Sequence, residues 1–197
     1  MKYIPMRRYT KAFSLSQQCA INGTGGSYPV DIPSVIAAAS ERILLVSSRE
    51  YKNFCRLRRL DFSMPQHAYT VYLPTGKLFL IVYNERFSDW ELRFSLAREV
   101  GHILLGHLTD GTASTADFTG YNHQEREANA FAGALLAPPI LIDHLLNGRA
   151  YSPAKVARHF GLPLKQAQGP RRLDYGFWRM QKRLLPQEIA LAMAHIR

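Results

Sequence analysis

The sequence predicts an α+β fold in which a small antiparallel sheet packs on one long helix and a small helical subdomain follows at the C-terminus. Residues 68–84 are rich in Tyr, Val, Ile and Phe and are interrupted only by the turn Pro74-Thr75-Gly76, which predicts a β-hairpin. Residues 88–108 carry apolar side chains at helical spacing, which predicts the long helix. The two elements together predict a domain with one shared core.

The long helix is predicted to begin after Ser88 and to turn one face toward the core. Ser88 and Glu91 have the spacing of a capping box, in which each side chain binds the backbone N–H of the other residue. Apolar residues then recur every three or four positions, which places them on one side of an α-helix. That predicted core-facing set is Trp90, Phe94, Ala97, Gly101, Leu104 and Leu108.

The chain is predicted to divide into three parts. The Gly-rich stretch "NGTGGS" predicts that residues 1–26 form a separate N-terminal arm. Residues 27–150 are predicted to form the main domain. It includes an amphipathic helix that starts at Asp31 and a short strand over residues 43–46. Residues 151–197 are predicted to form the C-terminal helical subdomain.

Start and stop signals in the sequence predict two further helical regions. The stretch "EREANAFAGALLA" predicts a helix that ends before Pro138-Pro139, and its many small residues favour close packing against another helix. In the tail, Ser152-Pro153 predicts the start of a helix and Gly161 its end. A second short helix is expected up to Gly169-Pro170.

Composition narrows the class of protein. The 197 residues are 47% hydrophobic, enough for one globular domain, and their net charge of +10 favours acidic partners, non-specific nucleic acid included. Cys19 and Cys55 have no CxxC spacing, so neither a disulfide scaffold nor a cysteine-based zinc finger is expected. No signal-peptide pattern opens the chain, and the apolar run 132–142 is short and broken by prolines, so we expect no membrane association.

The stretch "LAREVGHILLGH", residues 96–107, differs at one position from a helix-borne zinc motif. In HExxH, two His residues four apart lie on one helix face and bind zinc, and the Glu acts on the metal-bound water. Here Arg98 takes the first ligand position, Glu99 the position of the general base and His102 that of the second ligand. A guanidinium has no lone pair for a metal, so the motif is incomplete.

A third ligand in such a site comes from a downstream helix, for which Glu125 and Glu127 are the candidates. Glu125 is favoured because it shares a helix face with Asn129, which is placed to support the site. An alternative is that Glu125 pairs with Asn122 as a helix cap and has no role in chemistry.

The histidines also have alternative interpretations. His102 is interpreted either as a ligand-type residue or as a histidine buried in the core. His107 and His123 could recruit a metal together with His102 in a rebuilt arrangement, although His107 is expected to lie off the face of His102, five positions further along the helix.

The sequences of the two helices together resemble one known family. "RFSLAREVGHILLGH" followed by "EREANAFAGALLAPP", over residues 93–138, closely resembles the ImmA/IrrE-type zinc metallopeptidases. The resemblance implies a zincin-like α+β fold, a cytoplasmic location and a bacterial or phage regulatory setting in which the protease acts on a helix-turn-helix repressor. It makes Glu99 the general base and His102 and Glu125 zinc ligands. No such role can be assigned to Arg98, because the family has a histidine ligand at this position.

This difference leads to a physical prediction and three hypotheses for function. Arg98 is expected to pair with Glu125, and with Glu99 as well, so that one fixed cation replaces another. We therefore expect no metal cofactor in this chain, and a protein that binds a partner such as a repressor without cutting it, with the edge of the hairpin available to an extended segment. The alternatives are an active zinc endopeptidase, or its inactivated variant, and a basic DNA-binding regulator.

Overall fold

The computed structural model describes residues 9–108, 114–115, 123–147, 149–168 and 184–196. Helices surround a three-stranded sheet, so the predicted α+β class is confirmed. The strands are β1 (Arg42–Ser47), β2 (Ala68–Leu73) and β3 (Leu78–Tyr83). The helices are α1 (Thr10–Thr24), α2 (Ile32–Ala37), α3 (Ser48–Arg58), α4 (Asp89–Leu104), α5 (His123–Leu136), α6 (Pro139–Leu146), α7 (Pro153–Phe160), α8 (Leu164–Ala167) and α9 (Pro186–Ile196).

The predicted hairpin is present, but the sheet is mixed rather than antiparallel. β2 and β3 pair antiparallel around the turn Pro74–Gly76, whereas β1 pairs parallel with β3 on its other side. The prediction of a purely antiparallel sheet was therefore wrong. The reason is that α3 leads the chain from β1 to β2 at the opposite edge of the sheet, and the hairpin then places β3 between them, parallel to β1.

α3 was missed from the sequence, although its start carries a readable signal. Ser47 and Glu50 form a complete capping box, and Arg59 ends the helix in the left-handed conformation. α3 gives the sheet a second buried face. Because side chains alternate along a strand, β2 sends Tyr69 into a cluster with Tyr51 and Cys55 of α3, and sends Thr70 toward α4.

α4 begins with the predicted capping box between Ser88 and Glu91. One member of its predicted core face is wrong: Trp90 is 43% exposed, because burial along α4 starts only at Leu92, at the end of the first turn. Two polar residues of α4, Glu99 and His102, are completely buried. The helix therefore carries polar groups into the interior, where each needs a partner.

α4 and α5 lie very close together, as the small residues of α5 predicted. A Cβ atom added to Gly101 of α4 would lie 2.9 Å from Cδ1 of Phe131 on α5, nearer than ordinary carbon contacts allow. Ala128 and Ala132 of α5 are fully buried. This close approach brings the polar side chains of the two helices within hydrogen-bonding distance of each other.

The ends of the described chain pack together. α1, inside the segment predicted as an arm, packs on α5 and α9. The carbonyl of Gly26 lies 3.0 Å from Nδ1 of His195 on α9. The three-part division of the chain remains a prediction, and residues 1–8 of the arm lie outside the described residues.

The start and stop signals of the tail are confirmed where they can be checked. Ser152 accepts a hydrogen bond from the backbone N–H of Lys155 at the start of α7, and Gly161 ends that helix with φ +60°. The short helix α8 follows. The expected stop at Gly169-Pro170 lies outside the described residues.

Residues 123–146, which include α5 and α6, are long and apolar enough to cross a membrane by length and composition alone. However, 67% of its apolar 18-residue stretch is buried inside the fold, as in the core helix of a globular protein. Pro138 and Pro139 separate the two helices within it.

We predict that Gly101→Ala destabilises the protein by about 1–2 kcal/mol. Overpacking against Phe131 costs about 1–3 kcal/mol, and the better helix propensity of alanine returns up to about 1 kcal/mol. Urea denaturation measures the effect. In a Phe131→Leu background the further cost of Gly101→Ala should fall by at least half, since the clashing ring is absent; an unchanged cost would contradict the proposed contact.

Candidate functional site

The site lies where α4 passes between β2 and α5. Arg98 and His102 are four residues apart on α4, so they share the face that α5 covers. Glu99, the next residue, is oriented toward β2, where it contacts Thr70. α5 contributes Glu125 from its first turn. The structure therefore brings together Arg98, Glu99, His102 and Glu125, as the sequence predicted for the site.

Arg98 binds both carboxylates. Its Nη1 donates to Oε2 of Glu125 at 2.8 Å, and its Nη2 donates to Oε1 of Glu99 at 2.6 Å. The predicted pairing is therefore confirmed. Burial alone would lower the pKa of Arg98, but the charges of Glu99 and Glu125 outweigh burial and raise this pKa above its ordinary value. The guanidinium stays charged and links α4 to α5.

Glu99 is completely buried, and hydrogen bonds reach both of its oxygens. Arg98 occupies Oε1, while the hydroxyls of Thr70 and Thr115 donate to Oε2 at 3.0 and 2.8 Å. Thr115 also accepts the backbone N–H of Thr70 at 2.8 Å. A buried carboxylate needs such donors to offset the loss of water. The position of the general base is thus held by a charge-assisted network.

Sequence reasoning missed both threonines. Thr70 belongs to the predicted hairpin, but only its inward orientation, which depends on the packing of α4 on the sheet, makes it a partner of Glu99. Thr115 lies 16 positions from Glu99 in a polar stretch without periodicity, so no signal in the sequence pointed to it.

Glu125 has a neighbour at each of its two oxygens. One oxygen binds Arg98, and the other, Oε1, lies 3.3 Å from Nε2 of His102. Burial acts to raise the pKa of Glu125, but the hydrogen bond from His102 and the charge of Arg98 outweigh it, so that this pKa falls below its ordinary value. The carboxylate that the resemblance assigned to a metal is therefore shared between an arginine and a histidine.

His107 lies nearer to His102 than the sequence indicated. The prediction placed it off the helix face of His102, but α4 ends at Leu104 and Gly106 takes a positive φ of 77°. The resulting turn brings Nδ1 of His107 to 3.0 Å from Nδ1 of His102. Burial, and then the neighbouring His102, lower the pKa of His107, while Glu127 acts in the opposite direction.

Glu127, the alternative metal ligand, takes part in a different contact. Its Oε2 lies 3.2 Å from Nε2 of His107 and 3.3 Å from Nδ1 of His123. Glu127 thus contacts His107 and His123, whereas Glu125 contacts His102. A line of side chains therefore runs from the buried His102 to His123, which is 51% exposed.

The residues present do not fit a zinc ion. Arg98 stands where a ligand is required and has no lone pair, and its Nη1 occupies an oxygen of Glu125 that a metal would need. Within the described ranges, no three side chains of His, Cys, Asp or Glu are arranged to hold a metal ion. His102, His107 and His123, which the sequence offered as a rebuilt metal site, therefore do not form such a group.

The sequence offered a helix-cap role for Glu125 at the start of α5 and a supporting role for Asn129 in its middle. The helix-cap alternative for Glu125 required Asn122, which lies outside the described residues. Asn129 is half-buried on α5, and its supporting role remains a prediction. Glu125 nevertheless has two direct partners in the site, Arg98 and His102.

Fold and site together define a zincin-like, metallopeptidase-like protein in which an arginine replaces the first histidine of the motif. A family model of peptidases, described as the IrrE N-terminal-like domain, matches residues 56–169. This match covers more than half of the 197 residues, and the chain belongs to that family. The search of curated proteins found no match. Members of this family are typically zinc-dependent, and in this chain Arg98 stands where the zinc motif has its first histidine ligand.

We predict that Arg98→Ala lowers the free energy of unfolding by about 2–3 kcal/mol. The variant leaves two facing carboxylates without their cation, but the cost stays below the ~3–5 kcal/mol of a fully buried pair because Arg98 is partly exposed. Urea denaturation measures the change. Arg126→Ala, which removes an exposed arginine of α5, is the matched control and should change stability by less than about 0.5 kcal/mol. Equal effects would contradict the role given to the network.

We also predict that part of the acid sensitivity of the fold depends on Glu125. Its pKa in the folded state lies below the ordinary 4.5, so the unfolded chain binds more protons as the pH falls through that range. The stabilisation is present above about pH 4.5 and is lost below it. Unfolding free energies measured from about pH 7 to about pH 3 should fall less steeply in Glu125→Gln than in the wild type. Identical slopes would rule out this contribution.

Proposed function

We propose that this protein is a metal-free regulatory member of its family, which binds an extended segment of a protein partner and does not cleave it. The single observation that supports this proposal is the position of Arg98, whose guanidinium binds both Glu99 and Glu125. These are the two carboxylates that a zinc peptidase would use as base and ligand. The cation that holds them together belongs to the chain itself.

The state of Glu99 also argues against hydrolysis. A general base needs an oxygen that can reach a water molecule beside the substrate. Both oxygens of Glu99 already accept hydrogen bonds, and its side chain is completely buried. A carboxylate held in this way stabilises the fold and the geometry of the site.

The proposed partner is a protein, with a helix-turn-helix repressor as the first candidate, in the cytoplasm of a bacterium or in a phage-encoded system. This setting is the one that the resemblance to the family implies. β2 supports the mode of binding, because its outer side is an edge of the described sheet and can pair with an extended segment. The net charge of +10 would add non-specific attraction to acidic partners, nucleic acid included.

The alternative proposal is an active zinc endopeptidase, to which this chain would be related as an inactivated variant. Histidine at position 98 would restore two nitrogen ligands one helix turn apart, with Glu125 across from them. Restoring that residue therefore tests both proposals in one comparison.

We expect the wild-type protein, purified without chelator, to contain no stoichiometric zinc, and Arg98→His to bind about one zinc ion per chain. Elemental analysis measures both proteins. Arg98→Gln, which also removes the guanidinium but supplies no strong ligand, is the matched control and should stay free of zinc. Stoichiometric zinc in the wild type would overturn the metal-free proposal. Absence of zinc from Arg98→His would overturn Glu125 as a ligand-type residue.

The partner is tested separately. Mixed with a helix-turn-helix repressor encoded beside its gene, the wild-type chain should elute as a complex in size-exclusion chromatography and leave the repressor intact on a denaturing gel. Cleavage of the repressor by the wild type would contradict the proposal directly.

A further inference from the structure

The outer edge of β2 has a definite set of hydrogen-bonding groups. Successive residues of a strand direct their N–H and C=O groups to opposite sides. Thr70 donates its N–H to Thr115, away from β3, so Thr70 presents its backbone groups at the outer edge, and Val71 presents its own toward β3. The stretch around Thr70 is therefore the part of the edge that lies beside Glu99.

This part of the edge is already covered by the chain itself. Val71 forms an isolated antiparallel bridge with Ser114. The hydroxyl of Thr115 accepts the N–H of Thr70 at 2.8 Å, and Thr115 is 6% exposed. Ser114 therefore takes the place of a residue in a strand added to the sheet, while Thr115, whose own backbone is helical, covers the N–H of Thr70 with its side chain. The edge that the sequence predicts to be available to a partner is occupied at this point.

The contact includes a side-chain interaction as well as the backbone pairing. Thr115 donates its hydroxyl proton to Oε2 of Glu99 at 2.8 Å, beside the hydroxyl of Thr70 at 3.0 Å. A buried carboxylate oxygen accepts strongly from hydroxyl donors, and a residue without a hydroxyl would leave this donor missing. The position facing Glu99 is thus selective for serine or threonine.

We propose that Ser114–Thr115 is an internal occupant of the partner-binding edge. The partner is an extended protein segment with a serine or threonine that takes the place of Thr115 against Glu99, and it binds by displacing Ser114–Thr115. This inference rests on the proposed function and deepens it, because it names the position that selects the partner and the contact that limits binding. Affinity for a partner is reduced by the fraction of time that the edge is occupied.

Amide hydrogen exchange tests whether Thr115 holds the edge. In Thr115→Val, which keeps the side-chain shape but removes the hydroxyl, the amide of Thr70 should exchange at least about tenfold faster than in the wild type. Thr115→Ser should retain the slow rate. The amide of Val71, directed toward β3, serves as the internal reference for general opening of the sheet. An unchanged rate at Thr70 in Thr115→Val would overturn the proposal.

A peptide probe tests displacement. The probe is a fluorescein-labelled peptide with the sequence of residues 111–118, "GTASTADF", and fluorescence anisotropy measures its binding to the full chain. Thr115→Asp places a second carboxylate against Glu99 and should expel the internal segment, so the probe should bind this variant at least about tenfold more tightly than the wild type. Thr75→Asp, in the exposed turn between β2 and β3, is the matched control and should bind as weakly as the wild type.

Selectivity is measured with a second peptide in which valine replaces the central threonine. It should bind Thr115→Asp at least about tenfold more weakly than the first peptide, since it brings no donor to Glu99. Equal binding of the first peptide to Thr115→Asp and wild type, with thermal denaturation showing both folded, would overturn the internal-occupant proposal. Neither peptide requires the natural partner or a metal, so this failure is distinct from failure of the metal-free function.

Discussion

The guanidinium of Arg98 lies between two carboxylates that the fold cannot leave unpaired. Glu99 is wholly buried, and Glu125 is largely so, from a helix that approaches α4 closely enough to leave no room for a side chain at Gly101. Two negative charges buried so close together would destabilise the fold without a cation between them. In a zinc peptidase the metal supplies the positive charge. Here a side chain of α4 does so, and both helices are tied to it.

That interaction explains how the chain holds two carboxylates together where α4 and α5 pack closely. The carboxylates, His102 and the close packing of α4 on α5 remain, and the charge balance of the centre is maintained by a residue that cannot dissociate. The oxygens of Glu99, at the position of the general base, accept hydrogen bonds from Arg98, Thr70 and Thr115, so Glu99 also fixes the edge of the sheet.

The sequence supported much of the fold because its local signals agree with one another. The Ser88–Glu91 box marks the start of α4, the turn at Pro74–Gly76 separates β2 from β3, and Gly161 ends α7, each through local backbone requirements. The pairing of Arg98 with Glu125 also followed, from the positions that the zinc motif and the family resemblance give these residues and from their opposite charges. The parallel pairing of β1 did not follow, since it depends on how α3 crosses the sheet.

The sequence by itself determined which residues form the centre, because helical spacing and the absence of a lone pair on arginine are properties of the chain and its chemistry. Only the tertiary structure decided the surroundings of that centre. Thr115 reaches Glu99 through a contact between distant segments, and His107 reaches His102 because Gly106 turns the chain back after α4. Such contacts depend on where whole elements pack and where a helix stops, which no local pattern specifies.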